Sequence, residues 1–304
     1  MVLRIAMTGA TGFVGAETLD QALAAGHHVT ALTRRAQPPR ARLKWVPGSL
    51  DEAHALDTLV RDADVVIHIA GVVNAPDRDG FEAGNARGTM AVVDAMRKRG
   101  VRRLIHVSSL AAREPGLSDY GWSKELAERH VKASGLDWTI VRPPAIYGPN
   151  DREMLELFRM ARRGIMMLPP GGRLSVIHVT DLAQLLLTLA QERDVSLARS
   201  YEVDDGTVDG WDHKDFGAAI GRAVGRSVRT LATPAWLLGV AARTDRMIRG
   251  KGAKLTPDRV DYFCHPDWVA ARDHHVPKQL WIPQVATEAG LKATAEAYRA
   301  KGWL

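Results

Sequence analysis

The chain has 304 residues, enough for two domains or for one large domain with an additional lobe. Its composition, 46% hydrophobic and 25% charged, is typical of a globular protein and argues against a disordered, collagen-like or low-complexity chain. No apolar run reaches the ~18–20 residues of a membrane span, and the N-terminus lacks the pattern of a signal peptide. We therefore expect a cytoplasmic protein without stable membrane insertion.

Basic residues exceed acidic ones by 41 to 35, a net charge of +6. They are scattered among acids, and aromatic residues make up only 6%, which leaves little material for base stacking, so no nucleic-acid partner is expected. The single Cys264 excludes an intramolecular disulfide and a cysteine-based zinc site. The histidine pairs His27-His28 and His274-His275 lack the spacing of metal ligands, so no metal is expected.

Apolar runs alternate with amphipathic stretches over the first half of the chain. Strands are predicted at Val2–Met7, His28–Thr33, Leu43–Val46, Val65–Ile69, Leu104–Ser108 and Thr139–Val141. Helices are predicted at Phe13–Ala25, Ala53–Val60, Ala83–Arg99, Tyr120–Ala133 and Arg152–Arg163. This alternation predicts an α/β protein with a doubly wound parallel sheet that is covered by helices on both faces.

The rhythm changes after Gly148-Pro149. A strand is predicted at Leu174–Val179, a helix at Asp181–Gln191, and short strands at Ser200–Val203 and Val228–Leu231. We therefore expect a first domain over residues 1–200, of which 151–172 reach into the second. A smaller C-terminal α+β lobe over residues 201–304 would cover the mouth of the sheet, where open α/β folds bind ligands.

The segment from Pro234 to Ile248 is apolar and then basic through Lys254. A helix packed within the smaller lobe, a lid over an apolar substrate and a transient membrane contact all fit this pattern.

A glycine-rich loop, Thr8–Gly15, follows the first predicted strand and opens the first helix. Glycines at positions 9, 12 and 15 allow a sharp turn and let the backbone approach a pyrophosphate, which the free N–H groups of a helix start bind. The loop, with Thr11, Phe13 and Val14 between its glycines, therefore predicts a dinucleotide site.

The second predicted strand ends at Thr33, where an NAD site usually places an acidic residue. Two guanidiniums, Arg34 and Arg35, follow it. Arginine binds a 2′-phosphate through charge-assisted hydrogen bonds, whereas a carboxylate would repel that group. The pattern favours NADP as the cofactor, with NAD as the alternative. The two arginines also fit a solvated basic turn that has no role in cofactor binding.

Tyr120 and Lys124 share one face of a predicted helix at i, i+4. A phenol with a pKa near 10 is a poor proton shuttle at neutral pH, but an adjacent ammonium lowers that pKa toward the working range. Ser108 and Ser109 end a predicted parallel strand, at the edge of the sheet where a substrate oxygen would lie. The pattern is typical of proton transfer at a carbonyl or alcohol oxygen.

Taken in order, these motifs resemble the extended type of the short-chain dehydrogenase/reductase family, over at least residues 2–182. Further similar segments are His68–Gly71, Asn85…Gly88-Thr89, Arg142–Pro149, Val176–Asp181 and Gly290…Leu304. The resemblance implies a Rossmann-type sheet and a catalytic trio of Ser109, Tyr120 and Lys124. Together with the loop and the arginines, it implies these cofactor-binding residues: Gly9, Thr11, Gly12, Phe13, Val14, Gly15, Arg34, Arg35, Leu50, Ala70, Gly71, Ser108, Tyr120, Lys124 and Pro143.

Three positions depart from the family pattern. Gly48-Ser49-Leu50 replaces a Gly-Asp-Leu stretch, Tyr120 follows Ser109 by only eleven positions, and Ala145 stands where nucleotide-sugar members usually carry Asn. The last departure favours a carbonyl reductase or alcohol dehydrogenase.

The sequence thus predicts an NADP-dependent oxidoreductase that transfers a hydride between the nicotinamide and a carbonyl/alcohol carbon of a mainly apolar small molecule, with Tyr120 as general acid/base. The alternatives are a nucleotide-sugar epimerase or dehydratase with retained NAD(P), and a non-catalytic NADP-binding sensor or assembly protein. The resemblance is also consistent with a homodimer.

Overall fold

The computed structural model describes residues 1–192, 194–250 and 256–304. The strands are β1 (Arg4–Thr8), β2 (His28–Thr33), β3 (Leu43–Pro47), β4 (Val65–His68), β5 (Arg103–Val107), β6 (Asp137–Arg142), β7 (Ala145–Tyr147), β8 (Ile165–Leu168), β9 (Arg173–Leu174), β10 (Val176–His178), β11 (Arg199–Glu202), β12 (Trp211–Asp212), β13 (Arg229–Ala232) and β14 (Asp267–Trp268). The α-helices are α1 (Phe13–Ala24), α2 (Ala53–Val60), α3 (Arg78–Phe81), α4 (Gly88–Arg99), α5 (Asp119–Lys132), α6 (Leu155–Arg162), α7 (Val179–Gln191), α8 (His213–Val224), α9 (Ala235–Arg249), α10 (Pro257–Cys264) and α11 (Thr287–Ala300).

The chain forms two compact units that alternate along the sequence. The first comprises Met1–Arg142, Leu182–Tyr201 and Val276–Trp281, and the second comprises Pro143–Asp181, Glu202–His275 and Ile282–Leu304. The sequence predicts a first domain over residues 1–200, of which 151–172 reach into the second, whereas in the structure the chain passes into the second unit at Pro143, returns at Leu182 and leaves again after Tyr201. The physical reason is that residues 182–201 supply a helix and an edge strand to the first unit.

A seven-stranded sheet organises the first unit, in the order β11-β6-β5-β4-β1-β2-β3. The pairings from β6 across to β3 are parallel, with Thr8 opposite His68 and His68 opposite His106. The chain order reverses between β1 and β4, the position at which open α/β sheets bind ligands. The predicted fold class, α/β with a doubly wound Rossmann-type sheet, is confirmed.

Both faces of this sheet are buried, which explains why its strands are almost continuously apolar. One core cluster joins Ala6 and Leu104 of the sheet to Leu56 of α2 and Met96 of α4, all nearly inaccessible to solvent. Burying such side chains stabilises the fold by about 25 cal/mol per Å² of apolar surface.

Three elements differ locally from the sequence prediction. The helix predicted at Ala83–Arg99 starts as a π-helix, Glu82–Arg87, before α4 continues it. The strand predicted at Leu104–Ser108 ends at Val107, so both serines lie beyond it. The strand predicted at Leu174–Val179 is broken into β9 and β10, because these two short strands pair with different neighbours.

The second unit contains small sheets, β10-β7, β12-β9-β14 and β13-β8. Its core brings together Phe158 of α6, Phe216 of α8, and Leu291 and Tyr298 of α11, around Tyr147 of β7. None of the helices in the described part of the chain is long and apolar enough to cross a membrane.

Candidate active site

The predicted site residues gather at one edge of the sheet. Strands β1, β2, β4 and β5 are parallel neighbours, so their carboxyl ends all reach this edge. The glycine loop, the arginine pair, Ala70-Gly71 and the two serines follow these four ends directly. The fold therefore places the sequence motifs together without any long loop.

The glycine loop is a tight turn in which two glycines are sterically required. Gly9 has a φ of +75°, and a Cβ built on it would lie 2.7 Å from the backbone nitrogen of Ala70. A Cβ on Gly15 would overlap the carbonyl oxygen of Gly9. The N–H of Gly12 donates to that same oxygen at 2.9 Å, which closes the turn. Any side chain at position 9 or 15 would push the loop apart.

The start of α1 has the properties of an anion site. Gly12 is its N-cap, and within the fully described residues 1–24 the first turn has neither a side-chain cap nor an acidic residue. Thr11 and Gly12 are exposed. A helix N-terminus with free N–H groups beside a glycine cradle fits the pyrophosphate of a dinucleotide. The loop residues therefore suit the cofactor that the sequence predicts.

A chain of hydrogen bonds fixes the segment that lies against this glycine loop. The N–H of Ala70 donates to Thr8 Oγ1 at 3.2 Å, and the same hydroxyl lies 2.6 Å from His68 Nδ1. His68 Nε2 in turn lies 2.9 Å from Thr89 Oγ1 on α4. These contacts hold the end of β4 against β1, and thus fix the backbone of Ala70 and Gly71 beside the loop.

The arginine pair lies in an exposed turn after β2. Thr33 Oγ1 donates to the carbonyl of Arg35 at 2.7 Å, which shapes the turn, and both guanidiniums are solvent-accessible.

Leu50 is half-buried and packs against the start of α4, where a Cβ on Gly88 would lie 2.7 Å from its Cδ1. Position 50 thus contributes an apolar surface at the same edge of the sheet.

Tyr120 and Lys124 both lie on α5, one turn apart. Ser118 caps the helix by accepting the N–H of Gly121 at 3.0 Å. The Tyr120 ring is partly exposed and lies 6.1 Å from the ring of Phe81. Lys124 is only 5% exposed, and its Nζ donates to the carbonyl of Val107 at 2.8 Å.

Lys124 also links α5 to the cofactor cradle, because a Cβ on Gly71 would lie 3.9 Å from its Nζ. Its ammonium is therefore fixed between the ends of β4 and β5. Burial lowers the pKa of Lys124 to about 8, against a smaller opposing effect of Glu128. The lysine is thus a buried cation at the point where the strand ends meet.

Two neutral histidines flank this lysine. The rings of His68 and His106 stack at 5.3 Å, and both residues are inaccessible to solvent. Burial and then the charge of Lys124 lower the pKa of His68 to about 3, and the same two causes hold the pKa of His106 well below its usual value. The sequence gives no indication of a role for His106, because what distinguishes this histidine is its burial.

The two serines have different partners. Ser109 lies at the start of a short 3₁₀ helix, Leu110–Arg113, where its Oγ accepts the N–H of Ala111 at 3.2 Å. Ser108 is buried, and its hydroxyl donates to Glu128 Oε1 at 2.7 Å. Any contact of Ser108 with a cofactor would therefore involve its backbone rather than its hydroxyl.

Glu128 forms a buried ion pair that the sequence does not reveal. It accepts from Arg142 Nε at 2.8 Å and Nη2 at 2.7 Å, and from Lys132 Nζ at 3.0 Å. Burial opposes the ionisation of Glu128, but the bonds from Arg142, with help from Ser108 and Lys132, leave its pKa below the usual value. The pair joins α5 to the ends of β5 and β6.

Asn85, in the π-helix, connects the segment that follows β4 to α5. Its amide accepts the N–H of Val72 at 2.8 Å and donates to the carbonyl of Val72 at 3.0 Å and to Ser123 Oγ at 2.9 Å. Ser123 Oγ in turn donates to the carbonyl of Tyr120 at 2.8 Å. A π-helical turn is a recurring mark of functional sites.

One predicted cofactor residue is placed differently from the others. Pro143 is buried and belongs to the second unit, whereas all the other predicted site residues belong to the first.

Among the described residues there is no cluster of three His, Cys, Asp or Glu side chains that could hold a metal ion.

Comparison with known proteins gives independent information on the class of this chain. The family model described as NAD(P)H-binding matches residues 9–193. The ceramide reductase of Caulobacter vibrioides is 33% identical over 313 residues, covering 99% of this chain and 96% of that protein. The 4-hydroxy-2-methyl-3-oxo-4-farnesyl-3,4-dihydroquinoline-1-oxide ketoreductase of Stigmatella aurantiaca is 30% identical over 218 residues, covering 63% of this chain and 65% of that protein.

The fold is shared with solved structures of lower sequence identity. One is the UDP-N-acetylglucosamine 4-epimerase of Bacillus cereus, with a TM-score of 0.71 at 16% identity, covering 98% of this chain and 96% of the other.

Proposed function

Because the chain belongs to the NAD(P)H-binding family and, within it, to the extended short-chain dehydrogenases/reductases, it is an NAD(P)-dependent oxidoreductase, and we propose that it reduces a carbonyl group of a ceramide-type lipid with NADPH. The observation that carries this proposal is the 33% identity to a ceramide reductase along almost the whole of both chains. The similarity to a ketoreductase that acts on a farnesyl-bearing compound supports an apolar carbonyl substrate.

The chain's own residues supply the parts that this reaction needs. The cradle around Gly9 and Gly15 would bind the pyrophosphate, and the exposed Arg34 and Arg35 would bind a 2′-phosphate. When bound, the reduced nicotinamide supplies the hydride. The protein's task is then to orient the substrate carbonyl and to move one proton to its oxygen.

Tyr120 is the proton donor in this mechanism. Tyr120 is partly exposed, and its hydroxyl donates a proton to the substrate oxygen as that oxygen gains negative charge. Lys124, one helical turn after Tyr120, fixed by Val107 and close to Gly71, would supply a positive charge and a donor for the cofactor ribose. Ser109 donates a second hydrogen bond to the oxygen, at the start of its 3₁₀ helix.

The test is NADPH oxidation, followed at 340 nm, with the keto form of a ceramide in detergent micelles. Native protein should turn this ketone over, and Tyr120→Phe should lower kcat by about 10²–10⁴-fold, because it removes the general acid. The Phe side chain keeps the ring contact with Phe81, so the NADPH dissociation constant should stay nearly unchanged.

Two results would contradict the proposal. Turnover of UDP-glucose, with the keto-ceramide inert, would establish the nucleotide-sugar alternative. NADPH binding without turnover of either compound would favour a non-catalytic NADP-binding protein.

A further inference from the structure

Helix α9 (Ala235–Arg249) exposes an apolar face that the fold leaves uncovered. Of the seventeen large hydrophobic side chains that are exposed in the described residues, five lie on this helix. Trp236 is 70% exposed, Met247 87% and Ile248 77%. Contiguous exposed apolar side chains of this size mark interaction surfaces.

These side chains form a stripe along one side of the helix, which the exposed Thr244 interrupts near its middle. At 3.6 residues per turn, five residues fall within an arc of roughly 120°. They are Trp236, Leu237, Val240, Met247 and Ile248. The opposite side of α9 carries Ala242, which is fully buried, and α9 packs against α10. The inner face of the helix is therefore buried within the second unit, while a second apolar face is exposed to solvent.

The neighbouring strand pair has the same character. Ile165 and Met167 on β8 and Leu231 on β13 are exposed, and Met167 lies opposite Leu231 in the parallel register. Only Thr233 and Pro234 separate the end of β13 from the start of α9, so β13 of this apolar strand pair lies close to the stripe along the chain. A surface made of both a helix and a strand pair is larger than an isolated exposed side chain.

The charge of the segment indicates which partner fits. Residues 243–254 carry five basic residues and one acidic residue, and Arg243 is exposed on α9 beside the stripe. An amphipathic helix with a Trp-bearing apolar face and adjacent basic residues binds in the plane of a membrane interface, and basic residues draw it to anionic lipids.

We propose that α9 and the β8/β13 pair form a docking surface for an anionic phospholipid bilayer, with the α9 stripe inserted among the headgroups. This contact is peripheral, consistent with the length of α9. It uses no residue of the candidate active site, so it stands or fails independently of the reaction proposed above.

The experiment is flotation of the full-length protein with vesicles of phosphatidylcholine alone or with added phosphatidylglycerol. Native protein should float with the anionic vesicles, and 0.5 M salt should weaken that binding because it screens the basic residues. Met247→Glu/Ile248→Glu should lower the bound fraction at least tenfold. Val208→Glu, at a position 70% exposed elsewhere in the second unit, should leave binding unchanged.

Sedimentation velocity without vesicles tests the alternative that the stripe binds a second copy of the chain. A native dimer that Met247→Glu/Ile248→Glu converts to a monomer would overturn the proposal and assign the stripe to self-association. Equal flotation of native and double variant, or no flotation of native protein, would also overturn it.

Discussion

At the residue scale, the charge that we assign to Lys124 in the proposed reaction has a structural cost. The protein buries an ammonium among two neutral histidines, with one carbonyl bond to Val107 and a carboxylate, Glu128, on the next turn of its helix. Burial stabilises the neutral amine relative to the ammonium, so the folded protein binds the proton less tightly than the unfolded chain does. Sites that hold a reactive charge usually lose some stability in this way.

Lys124→Met should therefore stabilise the fold at neutral pH while abolishing turnover. With the pKa lowered from 10.5 to about 8, the native lysine costs up to about 3 kcal/mol below pH 8, less the value of its bond to Val107. Between pH 8 and 10.5 the unfolded chain binds more protons than the folded one, so the native protein recovers this cost as pH rises. Urea unfolding at pH 7 and pH 10 measures the difference, and a gap independent of pH would argue against a buried ammonium.

Cofactor choice is a second property of single side chains. Arg34 and Arg35 are exposed immediately after β2, where a 2′-phosphate but not a 2′-hydroxyl would attract them. Arg34→Ala/Arg35→Ala should weaken NADPH binding by about 2–4 kcal/mol, because charge-assisted hydrogen bonds are lost, and should hardly change NADH binding. Calorimetric titration of both cofactors measures this. Equal losses for NADPH and NADH would refute the assignment to the 2′-phosphate.

At the element scale, the turn from β1 into α1 depends on close backbone contact. In an ordinary helix, Gly→Ala gains about 1 kcal/mol from intrinsic propensity. At Gly15 the new methyl group would overlap the carbonyl of Gly9, and Ala10 Cα would lie only 2.9 Å away. The turn has no flexible side chain that could move aside.

Gly15→Ala should thus lower the free energy of unfolding by about 1–3 kcal/mol, the range for overpacked sites, and weaken NADPH binding at least tenfold. Gly116→Ala is the matched control, because a Cβ there meets nothing within 4 Å. Urea denaturation and NADPH titration of both variants test the prediction, which fails if Gly15→Ala behaves like the control.

At the scale of the whole molecule, one buried arginine secures the segment that returns to the first unit. Arg103 Nη2 donates to the carbonyl of Leu189 at 2.7 Å and to Ser196 Oγ at 2.8 Å, while Nη1 donates to Thr139 Oγ1 at 2.8 Å. The side chain is 2% exposed. It thereby ties residues 182–201, which follow an excursion into the second unit, to the middle of the sheet.

Arg103→Met should lower the free energy of unfolding by about 3–5 kcal/mol, because several buried acceptors lose their donor at once. Arg102→Met is the matched control: the adjacent Arg102 pairs with Asp137 at the surface, and such pairs contribute about 0–1 kcal/mol. Urea unfolding of the two variants should separate them clearly. Similar losses for both would contradict the role given to Arg103.

Features that depend on near neighbours along the chain were predictable from the sequence. Strand and helix alternation, the glycine loop and the i, i+4 spacing of Tyr120 and Lys124 are local patterns, because backbone geometry repeats within a few residues. From them follow the fold class, the family and the oxidoreductase activity, and the structure and comparisons confirm these.

Features that depend on burial and on distant partners were decided only by the tertiary structure. His106 and the Glu128–Arg142 pair have no sequence signature, since their environment is supplied by other strands and helices. The hydrophobic pattern of α9 likewise does not say which of its faces meets the core. Periodicity records that a helix has an apolar face, but only packing decides whether that face is buried or, as at Trp236 and Met247, left to solvent.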